Sequence, residues 1–229
     1  MNQIKKLLIA VLALLALATS CKPKDGEYRL DIYAYTDVHG KYFSQSYIDG
    51  GADQLSLSNI SAFLKAARAA DPDIILIDNG DNIQGDNSSY YYNFVETDVP
   101  HLYAQISNYL KADAVIVGNH DIEPGHPVYD RIRKEYKAPV LAANAIGKDG
   151  KPYFGEYTIL KKAGLKVAVI GMVTPRISSW LPESKYEGVE FVEADKIAQD
   201  LVDRMRAKEK PDVVIFSIHA GPGSGKVED

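Results

Sequence analysis

Short apolar runs rich in Val, Ile and Leu alternate along the chain with longer stretches whose apolar residues recur every third or fourth position. The runs at residues 29–36, 74–77, 114–117, 139–142 and 213–218 predict strands. Helices are predicted over 51–70, 99–110, 128–136 and 194–208. In the first of these Leu55, Ile60, Phe63, Leu64 and Ala67 fall in register, and Asp71-Pro72 supplies the stop. Residues 153–172 read as a hairpin turned at Lys162-Ala163-Gly164, and the polar, tyrosine-rich stretch 82–97 as a long loop. Strand, helix, strand, helix, strand and then a hairpin predict one layered α/β domain with a mixed sheet, without an internal repeat or a second core.

Four of the strands end in chemistry. The run at 114–117 breaks without a spacer into Gly118-Asn119-His120-Asp121, the first leads into Asp37-Val38-His39-Gly40, the second into Asn79-Gly80-Asp81, and the last into His219. Open α/β sheets place their sites at the carboxyl ends of strands, so one site assembled from distant sequence is expected. Asp37 and His39 lie two apart at the end of an extended run, where side chains leave on the same side. A carboxylate oxygen and an imidazole nitrogen can then reach one metal. Asp81 follows Gly80, whose missing Cβ permits a sharp turn, and its two oxygens can bridge two ions. Asn119 adds an amide oxygen and His219 a second imidazole. Such mixed ligands suit Zn²⁺, Mn²⁺ or Fe rather than Ca²⁺. Two ions about 3.5–4 Å apart would clamp the attacking and leaving oxygens of an in-line displacement.

Composition narrows the setting. With 229 residues, 46% hydrophobic and 25% charged, the chain suits one globular domain plus a tail. A net charge of -5 offers no electrostatic footprint for nucleic acid; a small phosphate ester remains compatible where metals supply positive charge. The first 20 residues read as a secretory signal, with Lys5 and Lys6 ahead of an apolar run at 7–18 that is too short to span a bilayer. Ala18-Thr19-Ser20-Cys21 is similar to a bacterial lipobox, which implies cleavage before Cys21 and lipidation of this sole cysteine. The mature protein would then be an extracytoplasmic lipoprotein held on a membrane, in the periplasm or at the cell surface. Residues 21–28 form the lipidated end and a tether, and 29–229 the domain.

Taken in order, Thr36-Asp37-Val38-His39-Gly40, Asn79-Gly80-Asp81-Asn82-Ile83-Gln84-Gly85, Gly118-Asn119-His120-Asp121-Ile122-Glu123, Ala142-Ala143-Asn144, Ile170-Gly171-Met172-Val173-Thr174-Pro175 and Ser217-Ile218-His219-Ala220-Gly221 carry a resemblance. The chain resembles the calcineurin-like metallophosphoesterase superfamily, and within it the 5′-nucleotidase and 2′,3′-cyclic-nucleotide phosphodiesterase branch. The resemblance implies an α/β/β/α domain with mixed sheets that uses two divalent ions to hydrolyse small phosphoesters such as nucleotides. It implies that Asp37 and His39 hold one metal, Asn119 and His219 the other, and that Asp81 bridges them. His120 would face the substrate beside Asn119, stabilise the transition state and protonate the leaving oxygen, with Glu123 orienting it and Asp121 as the rival. Metal-bound hydroxide would attack phosphorus directly. The family also carries a Gly-His-x-His segment beyond the position of His219, and the sequence ends at Asp229 without one. The expectation is therefore a domain incomplete at its C-terminus, with weakened metal binding, and a non-catalytic binding lipoprotein is the alternative.

Three further signals are set aside. Residues 221–226, Gly-Pro-Gly-Ser-Gly-Lys, resemble a phosphate-binding loop, but Ala220 stands at the first glycine and Val227 follows the lysine. The tyrosines at 90–92 suit a loop surface as well as a base-stacking platform. His101 and His126 read as polar loop or helix residues, His126 being the better candidate for lining the site because it closely follows Glu123.

Overall fold

The computed structural model describes residues 26–46 and 49–221. The signal segment, Cys21, the start of the tether and residues 222–226 of the glycine-rich stretch lie outside the described residues. In chain order the first half forms β1 (Ile32–Tyr35), α1 (Leu57–Ala70), β2 (Ile75–Asp78), α2 (Asn87–Tyr90), α3 (Leu102–Leu110), β3 (Ala114–Ile116), α4 (Asn119–Ile122), α5 (His126–Ile132) and β4 (Val140–Leu141). The second half forms β5 (Ala145–Gly147), β6 (Tyr157–Lys162), β7 (Leu165–Val173), α6 (Ile177–Trp180), β8 (Val189–Phe191), α7 (Ala194–Glu209) and β9 (Val213–His219).

These elements stack as α/β/β/α. One sheet has the order β1-β2-β3-β4 with every pair parallel, and the other the order β6-β7-β9, antiparallel at the hairpin and parallel between β7 and β9. The pleat decides which core each strand residue enters. Ile75 and Ile77 of β2 meet Val167 and Val169 of β7 between the sheets, whereas Leu76 packs with Leu57 and Leu64 of α1 and Tyr103 of α3. The other face of β7 gives Ala168, Ile170 and Met172 to Leu201 and Met205 of α7. Being covered on both faces is why β2 reads as an unbroken apolar run. Each such buried side chain stabilises the fold by about 1.5–3 kcal/mol.

The layered α/β class expected from the sequence is the one observed, and the differences are local. Helix α1 starts at Leu57 rather than residue 51, because Ala52 forms an antiparallel bridge with Gln45 and Gly50 lies at φ 70. The stretch 82–97 is an ordered helical excursion and not a loop. Asp86 caps α2 by accepting from the Ser88 N–H, a π-helical turn follows at Tyr91–Val95, and buried Asn93 donates to the Ile83 carbonyl at 2.7 Å. The antiparallel pair β5–β8 has no counterpart among the predicted strands, since three residues are too few to show a period.

Candidate metal centre

β1 stops at Tyr35, and Asp37 and His39 adopt left-handed φ values of 55° and 50°. Their side chains converge through two left-handed turns rather than through the strand alternation that the sequence suggested. Asp81, just past β2, is left-handed too at φ 59°, after Gly80 at 88°. The two loops are zipped together: Asp37 N–H donates to the Gly80 carbonyl at 3.0 Å, His39 N–H to the Asp81 carbonyl at 3.1 Å and Gly40 N–H to the Asn82 carbonyl at 3.2 Å. Ligand atoms of Asp37, His39 and Asp81 thereby come within 4.8 Å of one another.

The turn after β3 closes on this pair. A Cβ on Gly118 would stand 2.1 Å from Asp81 Oδ1, so only glycine lets the carboxylate lie there. The same Oδ1 accepts from the His120 N–H at 2.7 Å. Both oxygens of Asp121 are occupied by the backbone N–H groups of Gly118, Asp81, Asn82 and Ile83 at 2.9–3.4 Å. Burial and the nearby Asp81 push the Asp121 carboxyl above the ordinary range, against the pull of those N–H donors. This arrangement makes Asp121 a clamp on the Asp81 loop, and the partner of the His120 ring is Glu123, whose Oε2 lies 2.6 Å from Nδ1. The His39 and His120 rings meet edge to face at 5.3 Å.

β9 brings His219 to the same place, 100 residues beyond Asn119. His39 donates Nδ1–H to the Gln84 carbonyl at 3.2 Å and His219 donates Nδ1–H to the Asn79 carbonyl at 2.6 Å, so both rings turn Nε2 inward. His219 Nε2 then lies 3.1 Å from Asn119 Oδ1 and 3.1 Å from Asp81 Oδ2. A neutral ring in that tautomer would set a lone pair against two oxygens, a conflict that only a proton or a cation relieves. Burial opposes a charged imidazole, but the hydrogen bond to Asp81 and its field prevail, and His219 is raised to about 9. Oxygen and imidazole donors turned toward one point, with a cationic proton among them, fit a divalent ion.

The five residues expected as ligands thus gather from the ends of β1, β2, β3 and β9. His101 and His126 do not join them. His101 is fully buried at the start of α3, accepts from the Tyr103 N–H and faces Asn93, and burial and Arg131 lower it to about 3. His126 faces Asp130, the Glu187 carbonyl and Tyr153, so it does not line the site.

Several residues to which the sequence assigned no role support the site. Buried Asn144 bonds the Val173 and Val192 backbones and fixes the end of β7, whose Thr174 N–H donates to the His219 carbonyl. Behind the Asp81 loop, Asp78 is wholly buried among Tyr35, Tyr103, Ser107 and Asn82, and burial raises it to about 7. Trp180, at the end of α6, shares a pocket of about 310 Å³ with Asn119, His120 and Leu181.

Known proteins are similar to this chain in sequence and in fold. The model of the calcineurin-like phosphoesterase family matches residues 30–228. The trifunctional nucleotide phosphoesterase protein YfkN of Bacillus subtilis is 27% identical over 96% of this chain and 16% of its own length. A 2′,3′-cyclic-nucleotide 2′-phosphodiesterase/3′-nucleotidase of Haemophilus influenzae is 28% identical, covering 93% of this chain and 34% of that protein. The crystal structure of YfkN superposes with a TM-score of 0.80 at 27% identity, covering 86% of this chain and 64% of the other. The chain therefore spans about a sixth to a third of these curated relatives.

Proposed function

Because the chain belongs to the calcineurin-like phosphoesterase family, we propose that it is a metal-dependent hydrolase of small phosphate esters, with nucleotides as the substrate class. The observation that carries the reading is the convergence of Asp37, His39, Asp81, Asn119 and His219 from four strand ends, with His120 beside them. The names of the relatives, which are nucleotidases and nucleotide phosphodiesterases, support the substrate class.

Asp37 and His39 would hold one divalent ion, Asn119 and His219 a second, and Asp81 would touch both. Bound there, such ions act as Lewis acids on the phosphoryl oxygens and acidify water. The chain's own groups do the rest. His39 and His219 are held in one tautomer by the Gln84 and Asn79 carbonyls. His120 hands a proton to the leaving oxygen from Nε2, while Glu123 holds Nδ1 and keeps the ring aimed. Asp121 stabilises the loop that presents Asp81 and takes no proton from substrate.

Sequence features support the setting: the basic start, the apolar run and Ala18-Thr19-Ser20-Cys21 favour export and a lipid anchor at Cys21. Among the described residues no helix is long and apolar enough to cross a membrane.

The test is metal stoichiometry by elemental analysis together with hydrolysis of a generic phosphodiester in Mn²⁺. Two ions per chain and turnover that Asp81→Ala abolishes are expected. Less than one tight ion and no turnover would refute catalysis by this chain and favour a binding role for the same fold.

A further inference from the structure

The inner faces of β2 and β9 end in the same way. On β2 the residues turned toward the other sheet are Ile75, Ile77 and, two positions on, Asn79; on β9 they are Val213, Ile215 and then Ser217. Each face runs apolar, apolar, polar, and the two polar residues meet. The Ser217 hydroxyl donates to Asn79 Oδ1 at 2.7 Å. Asn79 Nδ2 donates to the Ile218 carbonyl at 3.4 Å, which settles how the amide is turned, because its oxygen cannot bond a carbonyl. The Asn79 backbone closes the link: its N–H donates to the Tyr35 carbonyl at 2.8 Å, and its own carbonyl receives Nδ1–H of His219 at 2.6 Å.

This link matters because the expected ligands come from both sheets. Asp37, His39, Asp81 and Asn119 follow β1, β2 and β3 of the first sheet, whereas His219 ends a strand of the second. Between the sheets lie Ile75, Ile77, Val167, Val169, Val213 and Ile215. Apolar burial is non-directional, so this layer holds the sheets together without fixing how far one lies along the other. Hydrogen bonds have preferred distances and angles, and they can fix it.

We propose that Ser217 is a positioning residue for His219: through Asn79 it sets the register of β9 against β2, and with it the place of the ligand that the second sheet supplies. The proposal rests on the metal-dependent reading of the site. An apolar residue at 217 would continue the pattern of Val213 and Ile215, so the hydroxyl contributes position rather than burial.

The test compares the full chain as wild type, Ser217→Ala and Ser217→Thr, the last keeping the hydroxyl on a residue suited to a strand. In the metal-free protein, ¹⁵N-edited NMR follows the ring Nδ1–H of His219, which its bond to the Asn79 carbonyl protects from exchange with water. Titration calorimetry then reads the affinity for each Mn²⁺ ion. The ring signal is expected in wild type and Ser217→Thr and is expected to vanish in Ser217→Ala. Ser217→Ala is expected to bind one ion as wild type does and the other about five- to tenfold more weakly, the size of one lost hydrogen bond, and Ser217→Thr to restore it. A ring signal absent from wild type or equally sharp in Ser217→Ala, or Mn²⁺ affinities in Ser217→Ala that match wild type at both ions, would overturn the positioning role while metal binding stands. Loss of the signal in Ser217→Ala alone, in a chain whose wild type takes up no Mn²⁺, would keep the link and sink the metal-dependent reading instead.

Discussion

Replacing Gly118 with alanine tests how closely the turn after β3 is packed against the carboxylate of Asp81. Gly118 has φ -92° and ψ 168°, ordinary extended backbone that alanine adopts freely, so conformational strain makes no contribution. The effect is steric. A Cβ would lie 2.1 Å from Asp81 Oδ1, 2.4 Å from its backbone nitrogen and 2.9 Å from Cγ, whereas non-bonded atoms settle at about 3.5–4.0 Å. Roughly 1–1.5 Å must open to reach that separation, against backbone that Asp121 holds from one side and the Asp37–Gly40 loop from the other. Overpacking of this kind costs about 1–3 kcal/mol. A shift of about 1 Å in a reacting group lowers rate by about 10²-fold. Thermal unfolding without metal, Mn²⁺ titration calorimetry and phosphodiester hydrolysis read the three consequences: a lower Tm, weaker Mn²⁺ binding and slower turnover. Gly164→Ala is the control: its φ is +77° but nothing lies within 4 Å, so it is expected to lose about 1 kcal/mol with Mn²⁺ affinity intact. Wild-type Tm and Mn²⁺ affinity in Gly118→Ala would refute the reasoning.

Glu123→Gln is expected to lower kcat about tenfold for an alkyl phosphate and far less for 4-nitrophenyl phosphate, whose leaving oxygen needs no proton; equal losses on both would mean that Glu123 does not act through His120. Asp78, raised by burial from 3.8 to about 7, holds a proton in the fold that the unfolded chain has released, so stability falls as pH rises through that window, by at most about 4 kcal/mol. Asp78→Asn is expected to remove that fall, read as the difference between variant and wild type in urea unfolding at pH 4.5 and 8; parallel curves would contradict it. Cys21→Ala is expected to abolish incorporation of labelled palmitate in bacterial cells, and retained label would sink the anchor.

What the sequence made legible follows from how local each signal is. Of the strands that end at the site, β2 and β3 were readable because burial on both faces makes each an unbroken apolar run, and β1 and β9, which are partly exposed, because β-branched and aromatic residues fill them; the polar residues after each stand out against it. Other features depend on contacts made across the fold. Asp121 looks like a second candidate beside His120 until its oxygens are seen to bind four backbone N–H groups. Gly118 could be any turn glycine until the neighbouring loop is in place. Trp180 sits in a stretch without motif or period, and only the packing of α6 brings it beside His120. The turn at Tyr91–Val95 is held by Asn93 reaching back to Ile83, a contact that no periodicity announces.

The spacing Asp-x-His and the pair Gly-Asp also have a physical reason to occur together. Asp37, His39 and Asp81 all occupy the left-handed region, where a non-glycine residue costs roughly 1–2 kcal/mol. Asp and His are among the residues that tolerate it best. The two loops hold that conformation together. Each does so because three N–H groups of the first loop donate to three carbonyls of the second, while Asp121 gathers the N–H groups that the second loop has left over. The strain of one loop is therefore offset by the backbone of the other. The structural unit of this site is the locked pair, and a substitution that unlocks either loop releases ligands on both.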